Sequence, residues 1–347
     1  MLTEENMDQN DPTPQDPTPE STPQPEQQQT SPDLYRLASA VDRVREEIGK
    51  VVIGQHEFVE LLIASLFAGG HVLVEGVPGI AKTLTAKLLA QSLQVDFSRI
   101  QFTPDLMPSD VVGTTVFNLN NSEFSFNQGP IFSNIVLIDE VNRSPAKTQA
   151  ALFEVMEEYQ VTVDGTTHPM GTPFFVIATQ NPVEQEGTYK LPEAQLDRFM
   201  VKINIDYPTL AEEQAILRRF RSDFQLSLQE QVQPVLDSAA IQECRTIVEK
   251  VFIKDELLDY IATIVHETRQ NGDLFLGASP RASLAIMKMS KAIAAINGRN
   301  FVTPDDIQEV AYPVLNHRII LTPEREMEGY ATRDVIEEII KKIGVPR

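Results

Sequence analysis

Two short stretches carry residue types suited to a phosphorylated ligand. The first, Gly76-Val77-Pro78-Gly79-Ile80-Ala81-Lys82-Thr83-Leu84, is a glycine-bearing turn running through Lys-Thr. The second, Asp139-Glu140, closes the apolar run Ile135-Val136-Leu137-Ile138. Glycines let a backbone curl so that successive N–H groups point at phosphate oxygens, and a helix starting there adds its positive end. In such a loop Lys82 reaches the terminal phosphates and the Thr83 hydroxyl ligates magnesium. Asp139 offers a hard oxygen to the same metal, directly or through water, while Glu140 polarises an attacking water. The loop departs from the pattern G-x-x-x-x-G-K-[ST] where Ala81 precedes the lysine. A Gly-Pro turn beside a surface lysine is the plainer alternative for the first stretch, and an acidic loop after a strand for the second. Their joint occurrence in this order favours a nucleotide site.

A sheet has to hold these residues. Short apolar runs at 72–75, 98–102, 135–138, 174–178 and 200–205 alternate with helical patterns, including one at 85–93 directly after the loop. This alternation predicts an α/β fold with a parallel sheet covered on both faces, and strand-end carboxylates there face the ligand edge. Ahead of it, Leu34, Leu37, Val41, Val44 and Ile48 recur at helical spacing, and a second helix is expected from about 56 to 68. Beyond Asp206-Tyr207-Pro208-Thr209 the chain reads as helices, at about 210–222, 234–249, 254–270, 280–297, 304–316 and 330–343. The expected division is therefore a tail at 1–33, a nucleotide-binding core at 34–208 and an all-helical lid at 209–347. The tail is rich in Pro, Gln and Thr, holds eight acidic residues and no Lys or Arg, and reads as disordered.

The net charge of −21 argues against a surface generally built to hold nucleic acid, although a local basic pore would remain compatible. A single cysteine, Cys244, excludes an intrachain disulfide. The longest apolar stretch, 61–68, is too short for a membrane span, and no signal peptide is recognisable, so a cytoplasmic location is expected. The histidines His56, His71, His168, His266 and His317 show no metal-ligand spacing and read as structural.

The loop and the Asp-Glu strand end, with a helical region behind them, resemble the P-loop AAA+ ATPases. Three further stretches narrow the resemblance to the MoxR family: 139–158 (DEVNRSPAKTQAALFEVMEE), 178–182 (ATQNP) and 191–199 (LPEAQLDRF). The likeness runs from about Val41 to the C-terminus, and an alanine before the loop lysine is common in that family. It implies ATP and Mg2+ as ligands, ATP hydrolysis, and a homo-oligomeric ring, expected to be a hexamer. It also implies chaperone-like remodelling of a protein client, or metal-cofactor insertion into one, often with a partner carrying a von Willebrand factor A domain. By the same resemblance Asn181 is the first sensor, Arg198 an arginine finger for the neighbouring subunit, and Arg281 a second sensor reaching its own subunit's γ-phosphate. Val52-Ile53-Gly54 is the segment that packs on adenine, and Arg143 a further basic candidate near the interface.

Read locally, Asn181 fits an Asn-Pro turn, Arg198 a salt bridge to Asp197 or Glu193, and Arg281 a pair with a lid carboxylate. Two insertions fit the same family, a small β element between 102 and 130 placed within a helix, and a hairpin at 161–168 turning at Asp164-Gly165. A magnesium-chelatase-type subunit, a nucleic-acid translocating motor and a nucleotide-operated binding module are the rival functions. The lack of Lys or Arg in 118–128 and 161–168 weighs against the motor.

Overall fold

The apolar spacing at the start of the chain forms α1 (Pro32–Gly49), with Leu34, Leu37, Val41, Val44 and Ile48 buried along one face. Pro32 and Asp33 belong to this helix and not to the tail, since proline suits a first turn and a carboxylate complements the positive helix end. The computed structural model describes residues 32–77, 79–118, 122–181, 189–221 and 232–346; the rest of the tail and Pro78 lie outside the described residues.

After α1 come α2 (His56–Ala68), β1 (His71–Gly76), α3 (Lys82–Ser92), β2 (Phe97–Gln101), α4 (Pro108–Val112), β3 (Gly113–Asn118) and β4 (Glu123–Gln128). They are followed by β5 (Ile135–Asp139), α5 (Ala146–Glu158), β6 (Gln160–Val163), β7 (Thr166–Pro169), β8 (Phe175–Gln180), α6 (Glu193–Leu196) and β9 (Phe199–Ile205). β1, β2, β5, β8 and β9 form one sheet in the order β2-β5-β8-β1-β9, and every pairing in it is parallel. Alternate side chains go to opposite faces. Val72, Val74, Ile135, Leu137 and Ile177 face one core, with α1, α2 and α3, while Leu73, Val136, Ile138, Val176 and Ala178 face the other, with α5. Burial on both sides explains why these strands read as continuous apolar runs.

Both expected insertions are antiparallel hairpins. β3 and β4 pair with each other between α4 and a short 3-10 turn at Pro130–Phe132, so the element follows a helix and does not interrupt one. β6 and β7 turn at Asp164 and Gly165, both with positive φ (49° and 79°), as a two-residue hairpin turn requires. The hairpins meet where Phe126 stacks on His168, with ring centroids 4.2 Å apart.

The region after β9, expected to be the lid, comprises α7 (Leu210–Phe220), α8 (Ser238–Glu249), α9 (Asp255–Gln270), β10 (Leu274–Leu276), α10 (Pro280–Ile296), α11 (Pro304–Leu315), β11 (Ile320–Leu321), α12 (Pro323–Met327) and α13 (Thr332–Lys342). The β10–β11 ribbon is an addition to the helical expectation. With strands of three and two residues it is too short to show any periodicity in the sequence. Buried side chains of α8 to α11 and α13 belong to the same core as α1, α2 and one sheet face, so the lid is packed on that face.

A buried arginine fastens the lid to the start of β9. Arg318 Nε meets Asp197 Oδ1 at 2.7 Å, and its Nη atoms donate to the carbonyls of Phe199 (2.6 Å) and Met200 (3.0 Å). Ser279 Oγ donates to the other Asp197 oxygen at 2.8 Å. Cys244 is buried, and burial pushes its thiol up to about 11, which fits a packed and inert residue.

His71 begins β1 in a buried site where its Nδ1 accepts from the Val176 N–H (3.0 Å) and its Nε2 donates to the Met156 carbonyl (3.1 Å). Burial pulls its pKa down to about 4. The unfolded chain takes up this proton below about 6.5 and the folded one does not, so stability is unaffected above that pH and falls as pH drops towards 4. We expect a loss of about 3 kcal/mol across this window from His71, measured by urea unfolding at stepped pH. His71→Gln, which cannot take up the proton, should make the slope shallower, and an unchanged slope would contradict this reading.

Candidate functional site

Because the strands are parallel, their C-terminal ends share one edge. Gly76 ends β1 there, Asp139 ends β5, and Asn181 follows β8. The edge opens into a cleft of about 410 Å³ lined by Gly79, Ala81, Lys82, Thr83 and Leu84 of the loop, by Asp139 and Glu140, and by Asn181. Arg99, Gln101 and Thr179 complete it, three residues that the sequence reading did not single out.

α3 begins at Lys82, three residues before the predicted helix start, so Lys82 and Thr83 form its first turn at the cleft. The glycines act in different ways. Gly79 has φ 86°, which favours glycine, whereas Gly76 is required by packing. A Cβ on Gly76 would lie 2.8 Å from the Ile205 carbonyl oxygen and 2.7 Å from Ile80 Cδ1. Ala81 also takes a left-handed conformation (φ 62°), costing roughly 1–2 kcal/mol that the commoner glycine would avoid. Ile80 is buried and Val77 half-buried, so these two loop residues pack inward. Lys82 Nζ donates to the Gly76 carbonyl at 2.5 Å. Burial lowers its pKa, opposed by the carboxylates of Asp139, Glu140 and Glu75.

Asp139 is buried, and each of its oxygens has partners. Thr179 Oγ1 donates to Oδ1 at 3.1 Å, Arg99 Nε to Oδ2 at 2.6 Å, and Thr83 Oγ1 lies 3.4 Å from Oδ2. A hydroxyl and a carboxylate side by side at rigid element ends are hard oxygen donors of the kind Mg2+ takes. Glu140 is left-handed (φ 57°, ψ 52°), a strained backbone held by its N–H bond to Thr179 Oγ1 at 3.0 Å. Its carboxylate accepts from Gln101 Nε2 at 2.7 Å and pairs with Arg143 at 3.3 Å. Arg143 is thereby placed on the Glu140 carboxylate.

Val52, Ile53 and Gly54 come close to the loop through Gln55, whose Nε2 donates to the Ile80 carbonyl at 2.5 Å. Val52 and Gly54 line a separate cavity of about 370 Å³, and Gly54 (φ 73°) abuts Glu212 at the start of α7.

Arg198 and Arg281 lie elsewhere. Arg198 immediately precedes β9, whose Phe199 pairs with His71 at the opposite end of β1 from Gly76. β1 is six residues long, so these ends are roughly 17–20 Å apart, too far for Arg198 to reach the cleft of its own chain. Arg281 is at the same far end. The carboxylate of Glu157 takes both, Arg198 Nη2 at 2.8 Å and Arg281 Nη2 at 2.5 Å. The expectation that Arg281 reaches its own subunit's γ-phosphate is therefore corrected. The Asp197–Arg318–Ser279 contacts hold the start of α10 against the beginning of β9, not its end. Arg198 pairs with Glu157 and not with Asp197 or Glu193, because Arg318 and Ser279 already occupy Asp197.

Residues 71–201 match the model of the ATPase family associated with various cellular activities (AAA), and residues 266–339 match the AAA lid domain. The chain is 40% identical over 316 residues to Chaperone MoxR1 of Mycobacterium tuberculosis, covering 88% of this chain and 82% of that one. It belongs to the MoxR family of AAA+ ATPases. Uncharacterized protein YeaC of Bacillus subtilis is 46% identical over 314 residues, covering 90% of this chain and 96% of the relative. A crystal structure of a Cytophaga hutchinsonii protein proposed to be an ATPase superposes with a TM-score of 0.84 at 45% identity, covering 91% and 97% of the two chains. This MoxR-family protein is an ATP hydrolase with an α/β P-loop core and a helical lid. No helix among its described residues is long and apolar enough to cross a membrane.

Thr179 holds both Asp139 and the strained Glu140 N–H in this ATPase. Thr179→Val keeps the shape and removes the hydroxyl, which should cost about 1–3 kcal/mol of stability by taking a partner from the buried Asp139 Oδ1 and from the half-buried Glu140 N–H. Turnover should fall more than nucleotide affinity, as measured by denaturant unfolding, ATPase assay and nucleotide titration. Wild-type turnover in a folded variant would contradict the role.

Proposed function

We propose that the cleft of this MoxR-family ATPase binds ATP with Mg2+ and hydrolyses it in a site completed by a second copy of the chain. The observation that carries this reading is the separation of the cleft residues from Arg198 and Arg281 by the length of β1, with both arginines gathered on Glu157. Within one copy, the loop N–H groups and Lys82 bind the triphosphate, and Val52, Ile53 and Gly54 take the adenine side. Thr83 and Asp139 hold Mg2+, which when bound screens the negative charge of the phosphates. Glu140 turns from Gln101 and Arg143 to accept a proton from the attacking water. Asn181, buried at the end of β8, orients that water and the γ-phosphate. Arg198 and Arg281 of the adjacent copy approach the developing charge, where a planar guanidinium is well suited.

Repeating that head-to-tail contact closes a ring, which we take to be a hexamer. The output we favour is chaperone-like remodelling of a protein client or metal-cofactor insertion into one, together with a von Willebrand factor A domain partner. The name of the Mycobacterium tuberculosis relative supports the chaperone reading. The two inserted hairpins, over 118–128 and 161–168, lack Lys and Arg, and the first carries the exposed Phe124, which suits a protein partner better than nucleic acid.

Glu140→Gln should retain ATP binding while turnover falls by about 10²–10⁴-fold, the usual contribution of a general base. Nucleotide titration and phosphate release measure the two quantities. Full turnover in that variant would sink the assignment of Glu140. Affinity capture on the same ATP-holding form should recover a protein client, and recovery of nucleic acid would overturn the chaperone reading.

A further inference from the structure

Among the described residues, the cations lining the cleft are Lys82 and Arg99, and only Lys82 has a place in the reading above. Arg99 lies on β2, next to β5, in a register that pairs it with Leu137 and pairs Gln101 with Asp139. Residues two apart on a strand share a face, so both side chains reach the end of β5. Arg99 Nε holds Asp139 Oδ2 at 2.6 Å, and Arg99 Nη2 donates to Gln101 Oε1 at 3.1 Å. Gln101 in turn donates to Glu140 at 2.7 Å. Oδ2 is also the oxygen facing Thr83, 3.4 Å away, while Thr179 occupies Oδ1. The guanidinium therefore sits on the oxygen that a metal shared with Thr83 needs. The Arg99 side chain is 51% exposed while that of Asp139 is 9% exposed, so a solvent-accessible cation is held on a buried carboxylate.

We propose that Arg99 is a placeholder cation of the metal site, neutralising Asp139 until Mg2+ arrives with nucleotide, so that metal affinity is set by competition with this guanidinium. Two cations on one carboxylate oxygen repel, so metal entry releases Arg99 from Oδ2. The Gln101 contact keeps the freed guanidinium at the cleft, beside the phosphates. Arg99 is on this account a positioning residue, and the proposal rests on the reading of Asp139 as the metal carboxylate.

The test uses the full chain and a fluorescent ATP analogue. Binding is measured in EDTA and then as a function of MgCl2, comparing wild type with Arg99→Ala, Arg99→Lys and Asp139→Asn. Arg99→Ala should lower the half-saturating Mg2+ concentration by about fivefold or more, a shift of the size expected for losing one charge-assisted competitor. Its affinity for the analogue in EDTA should fall by a similar factor, because Asp139 then faces the phosphates unneutralised. Arg99→Lys, which keeps the charge but not the planar fork, should show a smaller shift in the same direction. Asp139→Asn should lose most of the Mg2+ dependence. An unchanged or raised Mg2+ requirement in folded Arg99→Ala, with Asp139→Asn behaving as expected, overturns the placeholder role alone. Unchanged Mg2+ dependence in Asp139→Asn overturns the metal assignment of Asp139, and the placeholder role with it.

Discussion

Everything in this molecule follows from five strands that run in one direction, the inner three, β5, β8 and β1, being buried on both faces. A strand buried on both faces has no room for a polar ligand along its length, so ligand chemistry is confined to its two ends. The shared direction puts every C-terminal end on one edge and every N-terminal end on the other. The phosphate loop, Asp139, Glu140, Thr179 and Asn181 collect on the first edge, and Arg198 is left on the second. The proposed division of one active site between two copies is a direct consequence of that polarity.

Burial also explains the dense hydrogen bonding around Asp139. A carboxylate removed from water is stable only with its oxygens satisfied, and Arg99 and Thr179 meet that demand, with Thr83 close by. The same side chains hold Glu140 in a left-handed backbone conformation through the Thr179 hydroxyl. At the far edge Glu157 plays the matching part, giving Arg198 and Arg281 a partner within the chain. Both edges thus pair charges internally that the proposed chemistry redirects to nucleotide, metal and a neighbouring subunit.

Much of this was legible in the sequence where neighbours in the chain are neighbours in space. Loop, strand-end carboxylates and the Asp164-Gly165 hairpin all depend on local residue types, and the family resemblance was carried by contiguous motifs. Contacts between elements were not legible. Arg99 and Gln101 join the site only because β2 lies next to β5, and Thr179 only because β8 does. Arg281 sits in the first turn of α10, but which edge it faces depends on Arg318, a residue with no local motif. Gly76 shows a subtler gap, since a glycine expected for loop curvature is required by contact with Ile205 on another strand.

The central claim, that one catalytic site draws on two copies, is tested most directly by mixing two inactive variants. Lys82→Ala lacks the phosphate lysine but keeps Arg198, and Arg198→Ala keeps the cleft but lacks the far-edge arginine. Each alone should be nearly inactive, and a mixture exchanged at equal ratio should recover roughly one quarter of wild-type ATPase activity, the share of productive contacts under random assortment. Activity no greater than the mean of the two separate variants would contradict the account.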